Sequence, residues 1–337
     1  MNRLRVGACL SLTGRFARFG RQAAAGLEAW RSLDGSADLV MEDDRSDRHA
    51  LAGLLAGVAA RSDVVLGPYS TVLMRTAGRV AAEGGWLLWN HGGSGDDVQA
   101  AHPGHVVSVL TPASRYAEPF LTHLTAGPRP PGELVIASGR GSFGRQAGDG
   151  AEAAARRAGI RAVRAGPEEA LAAAARPPEW ALLCAGSFEE DVRTVSAART
   201  LPRPPRQVCA VAAGVREFGR AAGHTGGVFG MAQWFPGLGN AAALGPREAG
   251  FLSAYAHAAA TPPDYPAVQA AAGAVLAAHC ARRAGSTDRE ALWQAAGALD
   301  TSTVFGRFRI DPATGTQAGH QAVLLRWAGG QLSPERP

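Results

Sequence analysis

The sequence contains no lysine. All 34 basic residues of the 337-residue chain are arginine. Without a lysine amine the chain cannot form a Schiff base with a substrate, and it cannot supply the lysine of a phosphate-binding P-loop. The arginines are scattered among acidic residues and form no stripe, so the formal net charge of +5 does not indicate a nucleic-acid surface.

Cysteine is scarce, and its positions follow no metal-binding spacing. Three cysteines lie in apolar runs typical of strands and one in an alanine-rich run typical of a helix; they are Cys9, Cys184, Cys209 and Cys280. Such positions predict buried free thiols, with a Cys184–Cys209 disulfide as the alternative.

The acidic residues and histidines predict no metal site either. Asp43, Asp44 and Asp47 follow a predicted strand, where a solvated cap for the next helix explains them better than a bound cation. The histidines without ligand spacing are His105, His224, His257, His279 and His320.

Long apolar runs are also missing. No stretch of 18 apolar residues occurs, so no membrane span is expected. The chain opens MNRLRVGACLSLTG, with a predicted strand and no apolar core of a signal peptide. Two locations stay open: outside the cytoplasm (periplasmic or cell-surface) if a signal segment has been removed, or the cytoplasm.

Short apolar runs alternate with alanine-rich amphipathic runs through the first part of the chain. The predicted strands are residues 5–10, 37–42, 64–66, 86–89 and 106–110, and the predicted helices are 19–32, 49–61 and 72–83. Strands and helices at this spacing form parallel βαβ units. The fold class predicted is α/β, with a doubly wound, mostly parallel sheet.

The alternation restarts after a proline- and glycine-rich spacer at 127–132. The predicted strands are 134–138, 162–164, 180–184, 207–212 and 227–232, with helices at 144–158 and 189–200. Two α/β lobes follow from this repeat. The tail predicts helices at 266–284 and 288–299, then a hairpin and a strand. Its DPATG segment predicts a turn, because Pro312 presets φ and Gly315 tolerates a positive φ.

Two neighbouring strands are followed by loops of small and hydroxyl-bearing residues. These loops read GPYST at 67–71 and HGGSG at 91–95. In open parallel sheets ligands bind beyond the carboxyl ends of the strands, and small residues allow a ligand to approach the backbone. The loops therefore predict a small-molecule site. An esterase would need a G-x-S-x-G elbow, which the sequence lacks.

The segment GRGSFG at 139–144 matches the dinucleotide fingerprint G-x-G-x-x-G. It follows a predicted strand and opens a helix, as the fingerprint requires, and Glu168 lies near the position of a ribose-binding acid. With 43 glycines a chance match is expected. An NAD-dependent oxidoreductase acting through Gly139 and Gly144 is nevertheless kept as an alternative.

Eight segments in a fixed order resemble one known family. They read VGACLSLTGRFARFGRQAAAGLEAW, MEDDRSD, DVVLGPYST, WLLWNHGGSGDD, SFGRQAGDG, GVFGMAQWFP, PDYPAVQAAAGAVLAA and TVFGRFRIDPATGTQAGHQAVLLRW, and they cover nearly the whole chain. In this order they resemble the type I periplasmic binding proteins, and among these the substrate-binding proteins of branched-chain amino acid (Leu/Ile/Val-type) ABC transporters.

The resemblance implies two Rossmann-like lobes joined by a three-segment hinge. Lobe 1 would contain residues 1–112 and 238–316, and lobe 2 residues 113–237 and 317–337. The ligand cleft would lie between the lobes, which close on the ligand.

The resemblance also assigns ligand contacts in lobe 1. Phe19 takes the position of an aromatic residue that packs on the ligand. Ser70 and Thr71 offer a hydroxyl and backbone groups at a helix N-terminus, which suits a carboxylate. Gly93 and Ser94 offer a carbonyl and a hydroxyl to the ligand's polar head.

In lobe 2 the resemblance assigns aromatic contacts. Phe143 matches an aromatic residue that closes over the ligand, which also accounts for the glycine-rich match at 139–144, and Phe188 lies near another. Further residues that could line the cleft are Tyr116, Gln233, Trp234 and Tyr265.

One departure from the family concerns the ligand's ammonium group. Amino-acid-binding members often use a lobe 2 glutamate there, whereas this chain has Ala212–Gly214. A buried, unpaired ammonium is unfavourable by several kcal/mol. Either Asp96 or Asp97 replaces the glutamate, or the ligand is not an α-amino acid.

These observations predict a non-enzymatic solute-binding protein. It would close on a small polar-headed ligand, an amino acid or a related amide or aromatic acid, for uptake through an ABC permease. No cofactor, metal or nucleic acid is implied. The alternatives are a cytoplasmic ligand sensor of the same fold, similar to amide-responsive regulators, and the oxidoreductase.

Overall fold

The chain folds into two compact units. The computed structural model describes residues 3–172 and 179–335. Unit 1 contains the described residues up to Pro112 together with Pro236–His320, and unit 2 contains Ala113–Phe235 and the described residues from Gln321 onward. The chain therefore passes between the units three times. The expected changeovers at 237/238 and 316/317 lie two and four residues from the observed ones.

The first segment of unit 1 alternates strands and helices. The strands are β1 (Leu4–Leu10), β2 (Ala37–Asp43), β3 (Val64–Leu66), β4 (Leu88–Asn90) and β5 (Val106–Ser108); the helices are α1 (Ala17–Asp34), α2 (Arg48–Ala60), α3 (Thr71–Gly84) and α4 (Asp96–Gln99). Helix α2 begins after Asp47, whose carboxylate accepts the backbone N–H groups of His49 and Ala50, each at 2.8 Å.

The middle segment repeats the alternation. Its strands are β6 (Glu133–Ser138), β7 (Ala162–Ala165), β8 (Trp180–Ala185), β9 (Gln207–Ala210) and β10 (Val228–Ala232); its helices are α5 (Glu118–Ala126), α6 (Ser142–Arg157), α7 (Pro167–Ala172), α8 (Phe188–Ala198) and α9 (Glu217–Ala222). The last segment contains α10 (Glu248–Ala258), α11 (Tyr265–Ala284), α12 (Arg289–Gly297), β11 (Thr301–Thr303), β12 (Gly306–Phe308), β13 (Val323–Ala328) and β14 (Gln331–Pro334).

Unit 1 is built on a five-stranded parallel sheet in the order β2-β1-β3-β4-β5. Val6 of β1 lies between Leu39 of β2 and Val64 of β3, which fixes the register. Helix α11 is buried along almost its whole length. It packs against α1 so closely that a side chain at Gly26 would overlap the backbone of Ala267. The alanine- and glycine-rich sequences of both helices allow this contact.

Unit 2 is built on a seven-stranded sheet in the order β14-β13-β10-β9-β8-β6-β7. The strands from β10 to β7 are parallel, and β13 pairs antiparallel with both β10 and β14. The fold class predicted from the sequence, α/β with mostly parallel sheets, is confirmed.

All four cysteines are free and buried, as predicted. The alternative of a Cys184–Cys209 disulfide is wrong. Cys184 pairs in register with Ala210, so Cys209 points to the opposite face of the sheet. Accordingly the two thiols belong to different core clusters, Cys184 with Trp180 and Cys209 with Phe229. Burial raises the pKa of both thiols well above its ordinary value.

The tail of unit 1 has the predicted helices and turn. Strands β11 and β12 form a hairpin, and Ile310 bridges antiparallel to Gln317 around the DPATG turn. Gly315 adopts a φ of 80° there, and its N–H donates to the Asp311 carbonyl at 2.8 Å, so the turn prediction is confirmed. None of the described helices is both long and apolar enough to cross a membrane.

Candidate functional site

The strand order of unit 1 reverses between β1 and β3, which places a crevice beyond the carboxyl ends of these strands. Phe19, in the first turn of α1, stacks on Tyr69, which follows β3; the ring centroids are 4.4 Å apart and the planes are inclined by 16°. The Tyr69 hydroxyl lies 3.2 Å from the hydroxyl of Tyr265 at the start of α11. The two half-buried rings form an aromatic wall at the crevice.

Two loops lie next to this wall. They comprise residues 67–71 after β3 and residues 91–95 after β4, and we call them the paired strand-end loops. Tyr69 and Gly92 form a parallel bridge, and the Ser70 N–H donates to the Gly92 carbonyl at 2.9 Å. The β3–β4 pairing therefore continues beyond the ends of the strands, which holds the two loops side by side.

Glycine at 92 and 93 is required by packing. A Cβ atom at Gly92 would lie 2.5 Å from the Pro68 carbonyl oxygen and from the Tyr69 Cα, and one at Gly93 would lie 2.5 Å from the Met74 side chain. Small residues predict close approach by a ligand, and the structure adds a second reason, because the second loop packs closely on the first loop and on α3.

Ser70 occupies an unusual backbone conformation. It is the N-cap of α3, where its hydroxyl oxygen accepts the Leu73 N–H at 3.3 Å, and its φ is 93°. Only a few described residues other than glycine have a positive φ. The neighbouring Thr71 is buried, and its hydroxyl accepts the Gly95 N–H at 3.1 Å, which ties α3 to the second loop.

Asn90, which the sequence analysis did not single out, organises the second loop. It is fully buried, and its Oδ1 accepts the N–H groups of Gly92 at 3.2 Å and Gly93 at 2.8 Å. Its Nδ2 donates to the Gly93 carbonyl at 2.8 Å and to the Ser108 hydroxyl at 2.9 Å. The predicted ligand group at Gly93, its carbonyl, thus already accepts one hydrogen bond. An asparagine at the end of a strand before two glycines was the available signal.

His91 is the first residue of the second strand-end loop and is fully buried. Neither of its ring nitrogens makes a hydrogen bond of ordinary geometry to a described residue. Burial lowers the pKa of His91 to about 4, and the backbone of Gly67 nearby offsets this only in part. The imidazole is therefore neutral at physiological pH.

The remaining unit 1 candidates differ in exposure. Ser94 is 6% exposed, at the end of the second loop. Asp97 lies on the surface in α4 and forms an ion pair with Arg75 of α3. Asp96, beside it, is half-buried in the first turn of the same short helix.

The acidic cluster after β2 holds the β1–α1 loop and contributes only one cap to α2. The prediction of a solvated cap holds for Asp47 but is wrong for Asp44, which is fully buried and accepts the Ser11 hydroxyl at 2.6 Å. Asp43 accepts the N–H of Leu12 at 2.9 Å and the hydroxyl of Thr13 at 2.7 Å. Among the described residues no three His, Cys, Asp or Glu side chains are arranged to hold a metal ion.

Unit 2 contains a second reversal of strand order, between β6 and β8. Phe143, in the first turn of α6 after β6, contacts Tyr116 edge to face, with centroids 5.5 Å apart. Phe188, the first residue of α8 after β8, packs edge to face on Phe218 at 6.4 Å. Phe143 and Phe188 are half-buried, so each leaves part of its ring accessible at the carboxyl edge of the sheet.

The other predicted aromatic residues of unit 2 lie deeper. Tyr116 is 3% exposed and hydrogen-bonds to the buried Gln233, and Trp234 is 1% exposed. Tyr116 belongs to the hydrophobic core of unit 2.

Asp191 was not predicted, although it lies next to the stretch where the family's glutamate is missing. It is fully buried in α8, and its carboxylate accepts the N–H groups of Gly186 at 2.8 Å and Ala212 at 3.0 Å. Burial raises the pKa of Asp191 to about 7, against the effect of these two bonds. Both oxygens are thus engaged in joining the loops that follow β8 and β9.

Two of the three fingerprint glycines in segment 139–144 have a packing explanation. A Cβ atom at Gly139 would lie 2.8 Å from the Gly186 Cα, and one at Gly144 would lie 2.5 Å from the Ala185 carbonyl oxygen. The Ser138 hydroxyl donates to the Gly144 carbonyl at 2.6 Å. Gly144 lets α6 pack closely on the end of β8, and Gly139 lets the loops after β6 and β8 approach each other, whereas a Cβ atom at Gly141 would meet no atom within 4 Å.

The sequence was compared with models of protein families and with curated proteins. A family model described as "Periplasmic binding protein" matches residues 3–331. A search of curated protein sequences found no match.

Solved structures of the same fold cover nearly the whole chain. The leucine-binding protein LivK of Thermotoga maritima is 16% identical, with a TM-score of 0.84 over 99% of this chain and 98% of its own. The branched-chain amino acid binding protein LivJ of Streptococcus pneumoniae, in complex with isoleucine, is 15% identical with a TM-score of 0.81 over 98% of both chains. A solute-binding protein of an ABC transporter from R. palustris, in complex with benzoate, is 18% identical with a TM-score of 0.79 over 98% of this chain and 95% of its own.

Proposed function

The chain belongs to the periplasmic binding protein family, and from that premise we propose that it binds a small carboxylate-bearing solute with an apolar body. The carboxylate would lie at the paired strand-end loops, and the apolar body would lie against the wall formed by Phe19 and Tyr69. The bound solute would be handed to an ABC permease.

The family consists of solute-binding proteins and not of enzymes, as the sequence analysis expected. The alternative of an NAD-dependent oxidoreductase is therefore rejected. Close packing explains two of the three glycines of its fingerprint, Gly139 and Gly144.

One observation carries the proposal: the aromatic stack lies directly beside the N-terminus of α3, at the reversal of strand order. The first N–H groups of a helix have no partner within the helix, and the helix dipole favours a negative charge there. Of the first N–H groups of α3, the Ser70 hydroxyl accepts a hydrogen bond only from that of Leu73. An anionic head group fits this end of α3, and an apolar body fits the rings.

The acidic groups favour a carboxylate without an α-ammonium group. Asp97 is already paired with Arg75 on the surface, and Ala212–Gly214 provides no carboxylate. Asp191 uses both oxygens on backbone N–H groups. Asp96, half-buried in the first turn of α4, is a further candidate for contact with an ammonium. Among the similar structures, one holds isoleucine and another holds benzoate, so both ligand classes occur on this fold.

The test is a thermal-shift and calorimetry panel of matched pairs. Leucine is compared with 4-methylpentanoate, phenylalanine with 3-phenylpropionate, and benzoate with benzamide. A ligand at about a thousand times its dissociation constant adds about 4 kcal/mol to the free energy of unfolding, which raises Tm by several degrees. We expect the carboxylates without the amine to stabilise the protein more than their amino-acid partners.

The opposite order would show that an ammonium is recognised and would direct attention to Asp96 and Asp97. Asp96→Asn and Asp97→Asn should then identify the carboxylate involved, because loss of that carboxylate should abolish binding of the aminated ligand. Stabilisation by benzamide equal to that by benzoate would overturn the carboxylate assignment.

Variants locate the binding site. Ser70→Ala combined with Ser94→Ala should weaken binding of the best ligand at least tenfold, while far-ultraviolet circular dichroism stays unchanged. The predicted contacts of unit 2 are tested in the same way with Phe143→Ala and Phe188→Ala. Unchanged affinity in the serine double variant would place the head group elsewhere.

Transport and sensing are separated in cells. Deletion of the gene should abolish uptake of the radiolabelled ligand, and cell fractionation should place the protein outside the cytoplasm. A cytoplasmic protein with unchanged uptake after deletion would indicate the ligand sensor instead.

A further inference from the structure

Unit 1 contains a cavity remote from the paired strand-end loops. Its volume is about 460 Å³, and it lies between the C-terminal half of α1, the start of α10 and the middle of α11. Phe19 and Leu33 are 14 residues apart on α1, which corresponds to roughly 21 Å along a helix. The cavity is therefore at the opposite end of α1 from the aromatic wall.

The cavity has apolar walls. The side chains of Trp30 and Val275 lie at its base and are almost fully buried, whereas Leu244 and Pro246 in the wall are half-buried. Leu33, at the mouth, is 46% exposed, which makes it one of the few large apolar side chains that the described surface leaves open. A volume of this size falls in the range of small-molecule sites, which are about 300–1,000 Å³.

The rim of the cavity is cationic. Arg247, at the N-cap of α10, and Arg282 of α11 both line it, together with His279. Of the lining residues, all of which the structure describes, Asp34 alone is acidic, and it lies 3.5 Å from Arg282. The lining thus contains two guanidinium groups and one carboxylate, so it has an excess of positive charge.

We propose that this cavity is a second binding site, for an amphiphilic organic anion. The apolar body of the anion lies against Leu33, Leu244 and Pro246. Its anionic head lies at the guanidinium groups of Arg247 and Arg282, which are suited to carboxylate or phosphate. This site is independent of the function proposed above.

The experiment uses 4-phenylbutyrate and its charge-reversed partner 4-phenylbutylamine as probes. The protein is labelled with 5-fluorotryptophan, and the ¹⁹F resonance of Trp30 is assigned with Trp30→Phe. We expect 4-phenylbutyrate to shift the Trp30 resonance saturably and the amine to leave it in place. Equal shifts with both probes would overturn the assignment of an anion site.

A blocking variant tests the location without disturbing the core. A Cβ atom at Gly250, in the first turn of α10, would meet no atom within 4 Å, so Gly250→Leu can extend into the cavity. Gly57 on α2 is equally open, which makes Gly57→Leu the matched control. Gly250→Leu should weaken 4-phenylbutyrate binding at least tenfold, whereas Gly57→Leu should not change it. Binding retained in Gly250→Leu would overturn the proposal.

Charge and site are separated by two further variants. Arg247→Gln should weaken 4-phenylbutyrate binding at least fivefold. Ser70→Ala with Ser94→Ala should leave the Trp30 shift unchanged. If this serine variant removes the Trp30 shift, the probe acts only through the strand-end loops, and the second site is refuted while the proposed function stands.

Discussion

Ser70 combines an N-cap role with a backbone conformation that favours glycine. With φ at 93° and ψ at 144°, it lies in a region that side-chain-bearing residues rarely occupy. Such conformations are unfavourable by roughly 1–3 kcal/mol and persist where the surrounding structure imposes them, often at ligand sites. The bridge from Tyr69 to Gly92 and the Ser70 N–H bond supply that constraint here.

Two substitutions at this residue should act in opposite directions. Ser70→Gly removes the backbone strain, and replacing the serine cap by glycine is unfavourable by only a few tenths of a kcal/mol. The free energy of unfolding should therefore rise by about 1 kcal/mol. Ser70→Ala keeps the Cβ atom, and with it the strain, but loses the cap, so the free energy of unfolding should fall by about 1 kcal/mol. Urea denaturation of both variants measures this difference. Equal destabilisation by both would mean that the φ of Ser70 stores no strain.

The buried His91 should make stability depend on pH. Its pKa is about 4 in the folded protein and about 6.5 when unfolded, so the unfolded chain binds more protons between these values. Stability therefore rises with pH in this window, is fully present above pH 6.5, and is lost as pH falls toward 4. The difference amounts to roughly 3 kcal/mol.

The measurement is urea unfolding of wild type and His91→Gln between pH 4 and 7.5. The slope of stability against pH should be smaller in His91→Gln. Asp191 and other groups also titrate in this range, so the comparison is between the slopes of the variants. His224→Gln removes a histidine at an exposed position of unit 2 and is the control. A wild-type slope retained in His91→Gln would assign the pH dependence to another group.

At the scale of elements, the β3–β4 pairing depends on a glycine in the loop after β4. A Cβ atom at Gly92 would meet the Pro68 carbonyl and the Tyr69 Cα. Gly92→Ala should therefore separate the paired strand-end loops, lower the free energy of unfolding by about 1–3 kcal/mol, and weaken ligand binding. Chemical denaturation and calorimetry measure the two effects.

A matched glycine in an open place serves as the control for Gly92→Ala. Gly53 lies within α2, where a Cβ atom would meet no atom within 4 Å, so Gly53→Ala should stabilise the protein by roughly 0.5–1 kcal/mol. Similar effects of the two substitutions would show that close approach at Gly92 is unimportant.

Elements with a clear apolar pattern were predictable from the sequence. Strand β3 was predicted with its observed bounds, and α11 within one residue at its start. Helix α10 was not predicted, because it buries only Phe251 and Tyr255 and so shows little amphipathic pattern. Helix α5 was not predicted either; its Pro119 resembles a turn residue, although proline is also favoured in the first turn of a helix.

The two loops of the candidate site were predictable from the sequence, but the contacts between their residues were not. The hydroxyl residues and glycines of 67–71 and 91–95 are visible in the sequence. The contact of Phe19 with Tyr69 and the role of Asn90 depend on which strands are neighbours, and a single sequence does not record this. The ion pair of Asp97 with Arg75 depends likewise on how α4 lies on α3.

At the scale of the whole molecule, each unit has its own interior and its own pair of buried thiols. Cys9 and Cys280 are in unit 1, and Cys184 and Cys209 are in unit 2. Burial raises the pKa of Cys9 and Cys280 to about 12 and those of the other two well above the ordinary value, so all four react only after opening.

Thiol labelling should therefore report each unit separately. In pulse labelling with iodoacetamide across a urea series, Cys9 and Cys280 should become reactive at one urea concentration, and Cys184 and Cys209 together at another, because domains unfold as units. Mass spectrometry of the digested protein gives the midpoint for each cysteine. Different midpoints for Cys9 and Cys280 would show that unit 1 does not unfold as a single body.

The threefold passage of the chain between units has a consequence for synthesis on the ribosome. The nascent chain completes all five parallel strands of the unit 2 sheet by Ala232, whereas unit 1 lacks its buried helix α11 until Ala284 has been made. Until then the β1–β5 sheet lacks the helix that covers part of one face. Unit 2 in turn lacks β13, whose Leu324 and Trp327 belong to its core clusters, until Ala328 has been made. Neither unit can therefore complete its core early in synthesis, and the segments made first stay accessible to chaperones until then.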